Sequence, residues 1–289
     1  MRAFRRRPSR GALRQLAAAL AEAVNYDDAC ISYRAAEILR FRVAVPSMTS
    51  PATLGDVKRY WSTHVNDIEV VDAPVGSPEF LEELERYRYE KMPYLRDIVR
   101  ASSWRGKRVL EIGCGPGMDL TPPAVRLARR HLQIRKLPGS VLEGNAERTP
   151  FADGTFDAVY SHGVLHHTVD TQRAIDEVHR VLKPGGEAVI MLYHRLSWFW
   201  LLSKVTKTPV EHADADAPIV RVYSTAEVRR LFHAFNKVNV VTERFPAKTK
   251  KFKGWKGLGF NGVFVPIFNA LPTSLTGRWG WHLMIYASK

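Results

Sequence analysis

Residues 108–117 read RVLEIGCGPG, a short apolar run that leads into a turn rich in glycine. The run is typical of a buried strand, and Gly113, Gly115 and Gly117 let the backbone approach a ligand closely. Phosphate groups are the usual ligands of such turns. Glu111 lies inside the strand just before the turn, and its carboxylate would repel a pyrophosphate. The stretch therefore favours a ligand that carries a positively charged amino-acid group.

The sequence around this turn alternates between strand and helix patterns. Further strands are predicted over 156–161, 187–193, 238–245 and 281–288. A helix with one apolar face is predicted over 171–182, and Ser224 with Glu227 forms a capping box that begins another. The alternation predicts an α/β fold, with a Rossmann-like, mainly parallel sheet and helices on both faces.

We expect three parts in the chain. A basic N-terminal extension, partly disordered or helical, covers 1–54, and a helical cap covers 55–101. Within the cap, Ser77 followed by Pro78 predicts the beginning of a helix. The catalytic domain covers 102–289.

An insertion at about 246–280 does not fit the alternation of strands and helices. This insertion and the run 198–205 are both apolar and aromatic. Three interpretations stay open: a cap over a pocket, a contact with a membrane surface or lipid-like substrate, or ordinary core packing.

The formal net charge of +14 is confined to the two ends of the chain. Residues 1–21 contain six arginines and no acid, and residues 244–289 contain eight Lys or Arg and no acid. The middle of the chain has no basic surplus, so nucleic acid is not the expected partner. The arginine-rich beginning fits a transit-like peptide, an arm for an acidic surface, or a simple extension. Cys30 and Cys114 form no disulfide framework, which favours a reducing, cytoplasmic compartment.

Three motifs in this order resemble the class I S-adenosylmethionine-dependent methyltransferases. They are VLEIGCGPG (109–117), EGNAERTPFADGTFDAVYSHGVLHH (143–167) and EVHRVLKPGG (177–186). The closest branch is the group that includes the ubiquinone and menaquinone biosynthesis methyltransferases. The similarity covers about residues 60 to 289. It implies transfer of a methyl group from S-adenosylmethionine to a small acceptor, which the aromatic segments suggest is lipophilic.

The resemblance also implies roles for individual residues. Glu111 would orient the methionine end of the cofactor, and the turn of Gly113, Cys114, Gly115 and Gly117 would pass beneath it. The residues at the adenine would be Asn145, Ala146 and Glu147, where the family usually has Asp at the first position. The methyl-donor pocket would be lined by Ser161, His162 and Gly163, and His166 or His167 would flank the adenine or face the acceptor.

A proton acceptor is needed only where the methyl acceptor must lose a proton. The candidate catalytic residues are His162, His166 and His167, which lie at or just beyond a strand end. We predict no metal site among these histidines. Cys114 is expected to serve packing in the turn, where small residues are needed.

One departure from the family concerns the ribose-binding acid. Only 28 residues (113–140) separate Ile112 from Val141, whereas the family has two strand–helix units there, which need roughly 45 residues. We expect that one helix and one strand are missing, so that the next strand closes up beside the first or leaves a gap. Asp119, or Glu143 at the end of that next strand, would then replace the missing acid.

Three hypotheses follow for the function. The first is a small-molecule methyltransferase, the second is a non-catalytic binding or scaffolding descendant with impaired cofactor binding, and the third is a nucleic-acid-associated protein that uses the basic ends. Affinity that falls steeply with salt would distinguish the third. The sequence does not indicate the oligomeric state.

Overall fold

A computed structural model describes residues 52–63, 71–101, 104–113, 122–207, 210, 217–247 and 254–289. Nearly all of the expected N-terminal extension lies outside these ranges, as do the predicted site residues Cys114, Gly115, Gly117 and Asp119. The described part begins with three helices: α1 (Leu54–Thr63), α2 (Pro78–Lys91) and α3 (Tyr94–Ala101). The side chain of Ser77 caps α2 by accepting the Phe80 N–H, as the sequence predicts.

A six-stranded sheet forms the centre of the described fold. Its strands are β1 (Val109–Ile112), β2 (Phe156–His162), β3 (Leu182–His194), β4 (Val222–Tyr223), β5 (Lys237–Glu243) and β6 (His282–Ser288). The order is β1-β2-β3-β6-β5, with β4 paired to β3. The β1–β2, β2–β3 and β3–β4 pairs are parallel, and β6 runs antiparallel to both of its neighbours. The predicted α/β fold with a mainly parallel sheet is therefore confirmed.

The remaining helices connect and cover the strands. They are α4 (Pro122–Ile134), α5 (Thr171–Val181), α6 (Trp198–Thr206), α7 (Thr225–Leu231), α8 (Gly254–Gly259), α9 (Val265–Ala270) and α10 (Thr273–Thr276). A 3₁₀ turn covers Leu165–His167, and a π-helical turn covers Phe260–Phe264 between α8 and α9. The capping box of Ser224 and Glu227 is present at the beginning of α7. In the described part of the chain, no helix combines the length and apolar character needed to cross a bilayer.

The two faces of the sheet bury separate apolar cores. One face packs against α5 and α7, through residues that include Val159, Ile190 and Val178. The other face packs against α3 and α6, through residues that include Leu95, Met191 and Trp281. Helices therefore cover both faces, as the alternating pattern predicts.

Strand β1 has a single partner, β2, among the described residues. The strand that we expected to end at Glu143 is not formed, because residues 137–144 follow an irregular path. Arg129 on α4 instead binds the backbone carbonyl of Val141, at 2.9 Å from its Nη2. Neither expected outcome is therefore found: β1 is the edge of the described sheet, and its Val109 is 38% exposed.

A candidate active site at the carboxyl edge of the sheet

The carboxyl ends of β1, β2 and β3 meet at one edge of the sheet. Ile112 lies beside Ser161, which lies beside Ile190. Because β6 is antiparallel, its first residue reaches the same edge, where His282 pairs with Tyr193. Open α/β sheets bind ligands at this edge, so the predicted site residues on β1 and β2 stand where a ligand is expected.

Tyr94, the first residue of α3, connects the two histidines at this edge. Its hydroxyl lies 3.0 Å from Nε2 of His162 and also contacts Nδ1 of His282. On the other side of His282, Nη1 of Arg244 lies 3.0 Å from Nε2. The four side chains form one continuous hydrogen-bonded chain, and its Tyr94, His162 and His282 members are buried.

The direction of this chain follows from arginine, which can only donate hydrogen bonds. Nε2 of His282 must therefore accept from Arg244, so Nδ1 of His282 carries the proton and donates to the Tyr94 hydroxyl. That hydroxyl then donates to Nε2 of His162. In its neutral form His162 carries its single proton on Nδ1, and we assign it as a hydrogen-bond donor at that atom.

Burial keeps these groups uncharged. Loss of hydration, reinforced by nearby Arg88 and Arg244, lowers the pKa of His162 well below its ordinary value. Burial and Arg244 do the same to the pKa of His282. Burial also raises the pKa of the Tyr94 hydroxyl well above 10. Neutral imidazoles and a protonated phenol are what the assigned direction requires.

Several buried polar atoms at this edge have no hydrogen-bond partner among the described residues. They are Oγ of Ser161, Nδ1 of His162, and both ring nitrogens of His166. Ser161 and His166 are fully buried, and the His166 ring lies 3.9 Å from the Tyr193 ring between centroids. An unpaired buried polar atom costs about 1–3 kcal/mol, so a concentration of them indicates a site built to receive a polar ligand.

Glu111 and Gly113 stand beside these atoms on β1 and at its end. Protein surrounds the Glu111 carboxylate closely enough that burial raises its pKa, an effect that Arg88 opposes, yet part of its surface remains exposed. Gly113 has a φ of 75°, a left-handed conformation that glycine adopts without strain. Burial, partly offset by Arg88, also raises the pKa of neighbouring Tyr160 to about 12.

The segment predicted to read the adenine forms a tight turn next to α5. Oδ1 of Asn145 accepts the Glu147 N–H at 2.9 Å, and Ala146 is buried. The Glu147 carboxylate accepts the backbone N–H of Asp170, which caps α5. One side-chain oxygen of Asn145 and one of Glu147 are therefore used to shape the loop.

The structure brings together only part of the predicted site. Glu111, Gly113, Ser161, His162 and Gly163 lie on adjacent strand ends, and His166 follows within the 3₁₀ turn.

His167 lies beside His166, and its Nδ1 lies 2.6 Å from the Ile219 carbonyl, to which it donates. Glu143 lies elsewhere, 2.6 Å from Nζ of Lys58 in an exposed ion pair. Among the described residues, no three His, Cys, Asp or Glu side chains are grouped to hold a metal ion.

Sequence reasoning missed Tyr94, Arg244 and His282. Tyr94 is 68 residues from His162 and 188 from His282 in sequence, so no local spacing links them. The only available signal was that the strand predicted over 281–288 has a histidine at its second position, a polar residue among apolar neighbours.

The open α/β sheet, with Glu111 and Gly113 at the carboxyl end of its first strand, agrees with the expected resemblance to the class I S-adenosylmethionine-dependent methyltransferases. Residues 116–190 match the sequence profile of the methyltransferase domain family. This stretch of the chain is therefore similar to the methyltransferase domain family.

Curated relatives are similar over part of their length. The chain is 40% identical over 75 residues to a demethylmenaquinone methyltransferase of Thermus thermophilus, covering 26% of this chain and 34% of that protein. It is 32% identical over 155 residues to a fatty-acid O-methyltransferase of Mycolicibacterium smegmatis, covering 45% and 55%. The chain spans less than two thirds of each of these relatives.

A solved structure is also similar. It is a S-adenosylmethionine-dependent methyltransferase and possible histamine N-methyltransferase of Thermotoga maritima, with 22% identity, a TM-score of 0.46, and coverage of 73% of this chain and 96% of that one.

Proposed function

We propose that this chain transfers a methyl group from S-adenosylmethionine to a small, lipophilic acceptor. The observation that supports this most strongly is the set of unpartnered buried polar atoms at the carboxyl edge, next to Glu111 and Gly113. The fully buried Ser161 hydroxyl fits the polar groups of an amino-acid-like cofactor, and the Glu111 carboxylate fits its positive charge.

When bound, the cofactor supplies an electrophilic methyl group that is already activated. The tasks left to the protein are to align the two reactants, to exclude water, and to accept a proton where the acceptor releases one. Glu111 and the Gly113 backbone hold the cofactor side. His162 presents its Nδ1–H to an acceptor oxygen, because Tyr94 occupies its other ring nitrogen.

His166 is the better placed proton acceptor. Burial lowers its pKa well below the ordinary value, so the ring is neutral and has one nitrogen lone pair. Neither ring nitrogen is engaged by another described residue, whereas the tautomer assigned to His162 has no lone pair left at Nδ1. Of the three candidate histidines we therefore assign proton transfer to His166 and hydrogen-bond donation to His162.

A row of aromatic rings supports the lipophilic acceptor. The Tyr193 ring lies 4.3 Å from the Trp281 ring, and Trp281 lies 5.2 Å from Phe199 on α6. This row begins at the His166 ring, which lies 3.9 Å from the Tyr193 ring. An acceptor with one polar group and an apolar body would match both features. The named substrate of the mycobacterial relative, a fatty acid, has this character.

Calorimetric titration with S-adenosylmethionine and S-adenosylhomocysteine tests the proposal. We expect binding that Glu111→Gln weakens roughly ten- to hundredfold, because a charge-assisted contact is lost. The matched control is Glu187→Gln, an exposed acid at the opposite end of the sheet, which should leave affinity unchanged.

The open edge of β1 favours a second candidate, a non-catalytic descendant that no longer binds the cofactor well. In the described residues no acid replaces the missing ribose ligand, since Glu143 pairs with Lys58. A demonstrably folded protein that binds neither cofactor at millimolar concentration would establish this candidate and reject the first.

A further inference from the structure

Exposed apolar side chains are concentrated on one part of the molecule. Among the described residues, fifteen large apolar side chains are exposed, and ten of them lie within 196–205 and 255–279. We call these ten the outer face: Leu196, Leu201, Val205, Trp255, Leu258, Val263, Ile267, Leu271, Leu275 and Trp279. Scattered single residues need no explanation, but a cluster of this size marks an interaction surface.

The elements that carry the outer face pack against one another. The Trp198 ring of α6 lies 6.0 Å from both the Phe260 and Phe264 rings of the π-helical turn. The backbone N–H of Trp198 donates to the carbonyl of Trp279 at 3.0 Å. α6, the 254–270 helices and the segment after them therefore form one packed unit, and this unit carries the ten exposed apolar side chains.

The helices over 254–270 are apolar on two sides. Phe260, Val265 and Phe268 face inward and are buried. Trp255, Leu258, Val263, Ile267 and Leu271 follow at steps of three, five, four and four residues and are exposed. The five-residue step falls at the π-helical turn, whose hydrogen bonds span five residues. A helix that is apolar on opposite sides is normally buried on both. The outer side of the 254–270 helices therefore requires a partner.

The two segments that carry the outer face are basic in sequence. Residues 195–210 and 244–289 contain eleven Lys or Arg and no Asp or Glu. Lys204, Lys207 and Arg278 are exposed and form no ion pair with another described residue. An anionic partner is therefore favoured, and exposed tryptophans such as Trp255, which is 80% exposed, are typical of side chains at a membrane interface.

We propose that the outer face binds the surface of a membrane that contains anionic lipids. The apolar side chains would enter the boundary between headgroups and acyl chains, and the surrounding cations would contact the headgroups. This inference does not depend on methyl transfer. If both hold, a lipophilic acceptor would reach the site from the membrane in which it dissolves.

Sedimentation of the full chain with vesicles tests the proposal. We expect binding to phosphatidylcholine vesicles that contain phosphatidylglycerol, and weaker binding without it. The double variant Leu258→Glu, Ile267→Glu should lose binding roughly tenfold or more for each side chain. The matched control is Leu54→Glu, Leu137→Glu, which changes side chains of 50% and 54% exposure elsewhere and should bind as the wild type does.

Two further measurements separate the apolar and ionic contributions. Lys204→Glu with Lys207→Glu should weaken binding to anionic vesicles only, by about fivefold for each lost cation. Brominated lipids should quench tryptophan fluorescence in the wild type, and less in Trp255→Phe. A folded wild type that binds neither vesicle overturns the proposal, as does a dimer in sedimentation velocity that Leu258→Glu, Ile267→Glu dissociates.

Discussion

The Tyr94 hydroxyl lies 3.0 Å from Nε2 of His162 and joins that histidine to His282. Because Arg244 fixes the direction of donation, Tyr94 determines which nitrogen of His162 carries the proton. A helix outside the central sheet therefore sets the chemical character of a side chain at the site.

Replacing Tyr94 with Phe should destabilise the fold. The proton of His162 should then no longer be confined to Nδ1. Both histidine nitrogens would lose a partner, so the free energy of unfolding should fall by about 2–4 kcal/mol. Urea denaturation measures the stability, and nitrogen-15 chemical shifts should show His162 as a mixture of tautomers. Tyr89→Phe, which removes a hydroxyl with no hydrogen bond to another described residue, is the control. An unchanged single tautomer in Tyr94→Phe would contradict the assignment.

The buried histidines should make stability dependent on pH. The pKa values of His162, His166 and His282 are lowered well below 6.5 by burial, so the unfolded chain takes up protons that the folded chain does not. Stability should therefore fall as the pH drops below about 6.5, by about 1.4 kcal/mol per pH unit for each histidine. Urea denaturation across this range measures the slope, which His166→Leu should reduce. A slope that is the same in His166→Leu would show that His166 is charged in the folded state.

Gly280 allows the backbone to pass close to β5. A Cβ atom there would lie 2.5 Å from the carbonyl oxygen and 2.7 Å from the nitrogen of Glu243. Gly280→Ala should therefore displace the segment next to Arg244 and lower stability by about 2 kcal/mol or more. Gly262→Ala, where a Cβ atom meets nothing within 4 Å, is the matched control. Thermal unfolding compares them, and equal melting temperatures would refute the close approach.

Glu177 fastens the predicted adenine-binding segment to α5. Its Oε1 accepts both the backbone N–H and the hydroxyl of Thr149 at 2.6 Å, and Arg180 donates to both carboxylate oxygens. Burial alone would raise the pKa of Glu177, but these hydrogen bonds outweigh it and hold the pKa at about 2.

Replacing Glu177 with Gln should lower stability by roughly 2–3 kcal/mol near neutral pH. Because the folded-state pKa is depressed, the difference is present above about pH 4.5 and disappears as the pH falls towards 2. Urea denaturation of both proteins at several pH values measures this. Glu82→Gln, an exposed acid on α2, is the control. A loss that persists at the lowest pH would mean that packing, and not charge, is responsible.

The sequence predicted the elements whose signals are local. The strand before Gly113, the capping box at Ser224 and the helix beginning at Ser77 each depend on neighbouring residues, and each is present. The shortened connection after Ile112 also predicted that a strand is missing. Whether the next strand would form beside β1 depended on packing between α4 and residues 137–144, which no periodicity reveals.

The candidate site was predictable only where it lies on the strands of the motifs that resemble the methyltransferases. His162 stands where the motif places it, but its role depends on Tyr94 and Arg244, which come from distant parts of the chain. For the exposed apolar helices, the sequence showed the composition but not which side chains are buried. Their composition was visible, but Phe260 and Ile267 look alike in sequence, and only the fold shows that one is buried and the other exposed.

Because β1 is hydrogen-bonded to one described strand only, ligand binding at its carboxyl end should be coupled to local folding. Glu111 and Gly113 belong to a strand with one described neighbour, so their backbone amides should open more readily than those of β3 or β6. A ligand that contacts this strand would suppress that opening, and hydrogen exchange should slow on β1 before it slows elsewhere. Binding of the ligand would then stabilise the folded state of β1, the strand that begins the binding motif.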